Sequence, residues 1–221
     1  MKVVGHRGAR HLAPENTIAA LEAALKHGVD EIEIDVRVTK DGHVVLNHDP
    51  LVRTRDGKTY ATASHSLEEL QEHKPDMPTL AEAIRAVDRK VPLMIEVKAK
   101  EPIEPIVEVL ERFLSGGWQT SDFILGSFSQ KTLRALHEAL PEVELVVIEL
   151  FSGLRAIHRA RQVEATKISL NHHFLWFAAV ANMRRKKYEL YTWTLNNPKK
   201  ARRWAKFGLD GAVTDNPELY L

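Results

Sequence analysis

Glu31-Ile32-Glu33-Ile34-Asp35-Val36 decides how this chain folds. Side chains alternate across a strand, so Ile32, Ile34 and Val36 share one face and Glu33 and Asp35 the other. In a closed parallel barrel the apolar face packs against helices, which leaves the carboxylates pointing inward at the C-terminal end of the strand. Leu93–Lys98 repeats the pattern, with Leu93, Ile95 and Val97 alternating with Met94, Glu96 and Lys98. Three carboxylates and a lysine therefore converge at the mouth, where barrel active sites sit.

Outward from this stretch, a short apolar run followed by an amphipathic segment recurs, the pattern of βα units around a parallel sheet. The expected strands are Lys2–Gly5, Glu31–Arg37, Leu93–Val97, Phe123–Ser127, Leu145–Ile148, Lys167–Leu170, Leu190–Thr194 and Gly211–Thr214. Eight strands predict an α/β fold, a TIM-like (β/α)8 barrel, as one domain over residues 1–221. Helix signals lie between them. Asn16 or Thr17 can cap a helix bearing Ile18, Leu21 and Leu25 that stops near Gly28. Thr79 and Glu82 have capping-box spacing, and Asn197-Pro198 opens a helix through Trp204. Only Asn216–Leu221 follows the eighth strand, so the helical layer is expected to be incomplete there.

One segment departs from this rhythm. Asp41-Gly42 stands between the second strand and Val44-Val45-Leu46, a strong hairpin signal. Residues 41–78 are expected to form a small insertion at the barrel mouth, and their low apolar content suits a surface subdomain or lid rather than a second core. A two-residue Asp41-Gly42 turn would pair His48 with Asp35, and a four-residue Thr39–Gly42 turn would pair it with Glu33. Either register brings His48 beside the carboxylates.

The 221 residues are 44% hydrophobic and 28% charged, with a formal net charge of +1. That balance carries no overall bias toward nucleic acid or acidic membranes. The absence of cysteine excludes disulfides, thiolate zinc sites and cysteine nucleophiles. No run of ~20 apolar residues could span a bilayer, and no secretory leader opens the sequence, so a cytoplasmic location without stable membrane insertion is expected. Nothing in the pattern sets an oligomeric state.

Three inward carboxylates repel one another unless a cation neutralises them. A hard divalent ion with oxygen ligands, Mg²⁺ or Ca²⁺, answers that need with Glu33, Asp35 and Glu96 as ligands. The bland alternative is simple pairing of the acids with Arg7 and Lys98. His6-Arg7-Gly8 follows the first strand and so lies at the same mouth. Two histidines flanking a cation, with Arg7 and Lys98 offsetting phosphoryl charge, have the parts needed to cleave a phosphodiester: one deprotonates the attacking oxygen and the other protonates the leaving oxygen. Which of His6 and His48 is base and which is acid stays open in the sequence, with His6 favoured as the base. The nine other histidines, His11, His65 and His137 among them, read as surface or structural residues.

His6-Arg7-Gly8, Pro14-Glu15-Asn16-Thr17, Glu33-Ile34-Asp35-Val36, Asp41-Gly42 and Val45-Leu46-Asn47-His48-Asp49 resemble the ordered signature of the glycerophosphodiester phosphodiesterase family. Glu96-Val97-Lys98, Ser127-Phe128, Trp193-Thr194 and Asp210-Gly211 through Thr214-Asp215 resemble its later motifs, so the similarity spans nearly the whole chain. The resemblance implies that His6 and His48 are catalytic, that Glu33, Asp35 and Glu96 bind the cation, and that Arg7 and Lys98 hold the phosphate. It further implies that Trp193 packs on the glycerol moiety of a small glycerophosphodiester. Ser127 and Phe128 are expected to shape the mouth, and Asn16 to cap its helix.

Two other readings compete. A lysophospholipase D-type enzyme would keep the site and take an acylated substrate, but Leu67, Leu70 and Met77 in the insertion form no broad apolar path. A nucleic-acid module would use Arg184–Lys187 with Lys199, Lys200, Arg202, Arg203 and Lys206. No stacking platform is interleaved with those charges, so they read as solvated helix faces and no nucleic-acid partner is expected.

Overall fold

The alternation at residues 31–36 is built as expected, in a barrel whose two faces are chemically opposite. The computed structural model describes residues 1–54 and 57–220. Arg55, Asp56 and Leu221, which fall within the spans 41–78 and 1–221, lie outside the described residues. Among the described residues the strands are β1 (Lys2–Gly5), β2 (Glu31–Val38), β3 (Val44–Leu46), β4 (Leu51–Arg53), β5 (Thr59–Ala61), β6 (Leu93–Val97), β7 (Phe123–Ser127), β8 (Glu144–Glu149), β9 (Lys167–Asn171), β10 (Glu189–Trp193) and β11 (Gly211–Thr214). The helices are α1 (Ile18–Lys26), α2 (Leu67–His73), α3 (Leu80–Val87), α4 (Glu104–Ser115), α5 (Gln130–Ala139), α6 (Gly153–Gln162), α7 (Phe177–Arg185) and α8 (Pro198–Ala205).

Parallel pairing runs β1-β11-β10-β9-β8-β7-β6-β2, and the β1–β2 pair closes the ring. This is a TIM barrel. All eight barrel strands coincide with the expected runs to within a residue at either end. Among the described residues β11 is followed by a 3-10 turn, Pro217–Leu219. No helix among the described residues is long and apolar enough to cross a membrane.

Ile32, Ile34 and Val36 of β2 and Leu93, Ile95 and Val97 of β6 pack in one cluster with Leu21 and Ala24 of α1 and Leu80 and Ile84 of α3. A separate inner cluster of Val4, Met94, Ile124, Val146, Tyr191 and Val213 fills the barrel lumen beneath the mouth. At the N-terminal ends of the strands, charges pair. Tyr191 Oη donates to Glu31 at 2.8 Å, Lys2 reaches the same carboxylate at 2.7 Å, and Lys167 sits 2.9 Å from both Glu144 and Glu189. The lumen is thus plugged below, and only its upper end is available for chemistry.

Local signals explain the helix starts. Thr79 and Glu82 form a reciprocal capping box at α3, and Asn197 caps α8. The cap of α1 is Thr17, whose side chain accepts from Ala20 N, and not Asn16. The hairpin after β2 takes neither expected register. Val36 pairs with Leu46 and Val38 with Val44, and Thr39 N donates to the His43 carbonyl across a three-residue loop. Gly42 supplies the positive φ of 84° that this loop needs, where a side chain would be strained. Asn47, rather than His48, then lies opposite Asp35.

The segment 41–78 also differs from its expected lack of a core. Val45, Val52, Leu70 and Met77 are buried together, with Tyr60 and Leu67 against them. Leu70 and Met77 close this small cluster, so they are not exposed as a path for an acyl chain.

At the top of β8, Glu149 is fully buried and accepts from Arg155 Nε at 2.8 Å, from Arg159 Nη1 at 3.2 Å, and from the backbone of Leu150 and Phe151. Burial pushes its carboxyl up, but the Arg155 bonds, the Phe151 N–H and Arg159 outweigh burial and hold it below the usual carboxylate range. A lowered folded-state value means the interaction stabilises fully above the unfolded value, about 4.5, and is lost as pH falls through the folded one. Glu149→Gln is therefore expected to lower Tm at neutral pH and to flatten its acid-side fall, read by thermal melts across pH.

Candidate active site at the barrel mouth

The loop after β1 is tight because two glycines frame it. A Cβ on Gly5 would lie 2.5 Å from the Gly8 carbonyl, and Gly8 itself has φ of 84° with Ala20 against it. His6 N–H donates to the Thr214 carbonyl and Gly8 N–H to the Glu33 carbonyl, at 2.9 and 3.1 Å. The result is that His6 and Arg7 are fixed over β11 on one side and β2 on the other.

The parallel register places Asp35 opposite Glu96 across β2 and β6. Glu33, Asp35 and Glu96 are buried, and one carboxylate oxygen from each lies within 4.8 Å of the others. The Lys98 ammonium bridges Asp35 and Glu96. Arg7 Nε lies 3.2 Å from Asp35 Oδ2 but is not aligned for a hydrogen bond, and its Nη1 donates to Glu15 at 2.7 Å. Asn16, with φ of 56°, points into this site: its Nδ2 donates to Asp35 Oδ2 at 2.9 Å and its Oδ1 accepts from Asp35 N at 3.1 Å. The expectation of a capping role for Asn16 is corrected, because Thr17 takes the cap and leaves Asn16 free to orient Asp35.

The charges do not balance. Burial raises Asp35, but Lys98 and Arg7 outweigh it and hold the carboxyl below its usual range. Among the described residues Glu33 accepts from the Arg7 backbone N–H at 2.9 Å and lies 4.0 Å from the His6 imidazole, with Lys98 acting at longer range. Burial first, then the charges of Asp35 and Glu96, hold Glu33 well above the usual carboxylate range. Burial and Asp35 also raise Glu96, against the pull of Lys98. Three acids face two cations in a buried cluster of oxygen donors only, which is the donor set of a hard divalent ion. The residues fit such a cation.

A cavity of about 310 Å³ opens beside the cluster, lined by His6, Arg7, Glu33, His48, Glu96 and Trp193 among others. Asp35 and Lys98 stand just outside that lining. His6 Nδ1 is 2.5 Å from Asp215 Oδ1, and Asn196 Nδ2 donates to the other Asp215 oxygen at 2.9 Å. Burial raises Asp215, but these bonds outweigh it and keep the carboxylate ionised. An ionised carboxylate only accepts, so in the neutral imidazole Nδ1 carries the hydrogen and Nε2 the lone pair. His48 is more exposed; its Nδ1 is 2.8 Å from Asp49, and its carbonyl accepts from Arg37 at 2.8 and 3.0 Å. Both histidines line one cavity, His6 from the loop after β1 and His48 from the loop after β3, two strands that pair with the same edge of β2. Trp193 donates its Nε1–H to the Ser169 carbonyl at 3.1 Å, rests on the lumen cluster, and meets Phe128 edge-on at 5.4 Å. Ser127 is buried and donates to the Val97 carbonyl, so it ties β7 to β6 while Phe128 lines the mouth.

Sequence reasoning missed the roles of Asp215, Asn196 and Glu15. The signal available for Asp215 was its position directly after β11, at the mouth end of a barrel strand.

The sequence matches the glycerophosphoryl diester phosphodiesterase family over residues 6–219. A glycerophosphodiester phosphodiesterase of Caldanaerobacter subterraneus is 30% identical, with 99% of this chain and 96% of the relative covered. An Oleispira antarctica phosphodiesterase, solved in complex with the product sn-glycerol-3-phosphate, superposes with a TM-score of 0.88 at 25% identity, covering 100% of this chain and 95% of that one. A glycerophosphodiester phosphodiesterase of Thermotoga maritima superposes with a TM-score of 0.81 at 26% identity, covering 100% and 96%. With its barrel closed and its acids and histidines gathered at one mouth, the chain belongs to the glycerophosphoryl diester phosphodiesterase family, an enzyme family of phosphoric diester hydrolases.

Proposed function

We propose that the chain hydrolyses small glycerophosphodiesters to sn-glycerol 3-phosphate and an alcohol, by histidine general acid–base catalysis beside a divalent cation, Mg²⁺ or Ca²⁺. The observation that carries this reading is the cavity lined by His6, Arg7, Glu33, His48, Glu96 and Trp193. The whole chain, 1–221, acts as one barrel domain in this reading, with 41–78 as a small insertion bringing His48 to the mouth.

Glu33, Asp35 and Glu96 would hold the cation, and Asn16 orients the Asp35 carboxylate for that task. A divalent ion there would supply positive charge against the non-bridging phosphoryl oxygens as the phosphorus–oxygen bond breaks. Arg7 and Lys98 add fixed positive charge for the phosphate, with Arg7 on the cavity wall and Lys98 behind it. His6 takes the proton of the attacking oxygen at Nε2, because Asp215 fixes the tautomer through Nδ1. His48 gives a proton to the leaving alcohol oxygen. Trp193 offers its ring to the glycerol carbons, and its position above the lumen cluster keeps that side of the cavity apolar.

Phosphorus NMR of a glycerophosphocholine digest tests the bond that breaks. Glycerol 3-phosphate with free choline is the expected product pair, and phosphocholine with free glycerol would contradict the reading. Lysophosphatidylcholine assayed alongside is expected to turn over more slowly, since Val52, Leu70 and Met77 of the insertion are enclosed in a cluster of their own.

A further inference from the structure

The charge of this chain is unevenly placed. Residues 151–210 contain thirteen Lys and Arg against three Asp and Glu, a formal +10, while the whole chain is only +1. The same stretch holds a concentration of exposed large apolar side chains. Phe151 (59% exposed) and Leu154 (69%) follow β8, and Phe174 (39%), Trp176 (59%) and Phe177 (50%) follow β9. Because they follow the C-terminal ends of barrel strands, they begin at the mouth rim. Phe151 meets Phe174 edge-on at 5.4 Å across the two loops. A groove of about 710 Å³ runs from this rim between α6 and α7, with Leu154, Trp176 and Arg185 on its walls. Exposed basic residues border the rim: Arg155 beside Leu154, and Lys199 and Lys200 in the first turn of α8.

We propose that this aromatic rim, with the basic α6–α8 face around it, docks the barrel mouth reversibly on the surface of an anionic lipid bilayer. A contiguous exposed apolar patch marks an interaction surface. A polyanion such as nucleic acid would use the charge but leave Phe151, Leu154 and Phe177 in water. A neutral protein partner would use the apolar rim and leave the exposed Lys199 and Lys200 without a counterpart. An anionic bilayer uses both: aromatic rings and leucine enter the headgroup boundary, and Arg and Lys face lipid phosphates. The contact lies on the surface and spans nothing. Phe151, Leu154, Phe174, Trp176 and Phe177 do not line the catalytic cavity, so docking is independent of the hydrolytic reading.

Cosedimentation of the full chain with vesicles tests this, using pure phosphatidylcholine and an equal mixture with phosphatidylglycerol. The chain is expected to pellet with the anionic vesicles at low salt, much less with the neutral ones, and less as salt is raised. Phe151→Ser with Trp176→Ser is expected to lower partitioning about tenfold. Lys199→Gln with Lys200→Gln, a surface pair that keeps the fold if the first variant does not, is expected to lower it about 25-fold, since each basic residue near the surface contributes roughly fivefold. Circular dichroism checks folding without any reliance on turnover. Absence of pelleting with either vesicle, or undiminished pelleting of both folded variants, overturns the proposal. Binding to a random oligonucleotide, or dimerisation through this face, in the absence of vesicle binding overturns it equally.

Discussion

His6→Ala is expected to lower kcat for glycerophosphocholine about a thousandfold, with little change in KM, because it removes a proton acceptor from the cavity and leaves the cation and phosphate groups in place. The expectation rests on three features. Backbone bonds fix His6 between β11 and β2, Asp215 holds Nδ1, and Nε2 is left beside Glu33 at 4.0 Å. Asp215→Asn should give a smaller loss, since an amide can present its NH2 to Nδ1 and turn the imidazole to the wrong tautomer without removing it. Steady-state kinetics of both variants checks this; a His6→Ala loss of less than tenfold would exclude His6 as the base.

Two carboxylates of the same cluster are expected to respond in opposite directions when neutralised. Asp35 is held by Lys98, Arg7 and Asn16, so Asp35→Asn leaves buried cations underpaired and is expected to cost about 3–5 kcal/mol of stability even in EDTA. Among the described residues Glu33 forms no ion pair with an ammonium or guanidinium, feels Lys98 only at longer range, and sits against two other acids. Glu33→Gln keeps an oxygen for the Arg7 N–H while removing like-charge repulsion, so in EDTA its Tm should equal or exceed that of the wild type. Its activity and its thermal shift on adding divalent cation should both be lost. Melting curves with EDTA and with added cation separate the two cases. A Glu33→Gln protein that is destabilised in EDTA and still shifted by cation would contradict the assignment of Glu33 as a ligand.

The barrel and the gathering of Glu33, Asp35, Glu96 and Lys98 at its mouth were legible because they depend on period. Alternation at Glu31–Val36 and Leu93–Val97 assigns faces before any tertiary contact is known, and eight apolar runs set eight strands. What was not legible depends on backbone geometry that composition does not encode. Asp41-Gly42 announced a hairpin, but the loop settled at three residues, between the two lengths weighed, and shifted the partner of Asp35 from His48 to Asn47. Asn16 and Thr17 are both capping types, and only the left-handed φ at Asn16 decides which one caps and which one turns to Asp35. Asp215 lies 209 residues from His6 along the chain, and closure of β1 on β11 is what brings them together. The insertion hid its core because Val45, Val52, Leu70 and Met77 are dispersed over a polar stretch and meet only once folded.

The most direct test of the central claim is glycerol 3-phosphate release from glycerophosphocholine after treatment with EDTA, followed by addition of Mg²⁺ or Ca²⁺. Loss of activity on chelation and its return with one of the two ions is the predicted result, and the ion that restores it is the one Glu33, Asp35 and Glu96 hold. Full activity retained in EDTA would contradict a metal-dependent site and leave the three acids as partners of Arg7 and Lys98 alone.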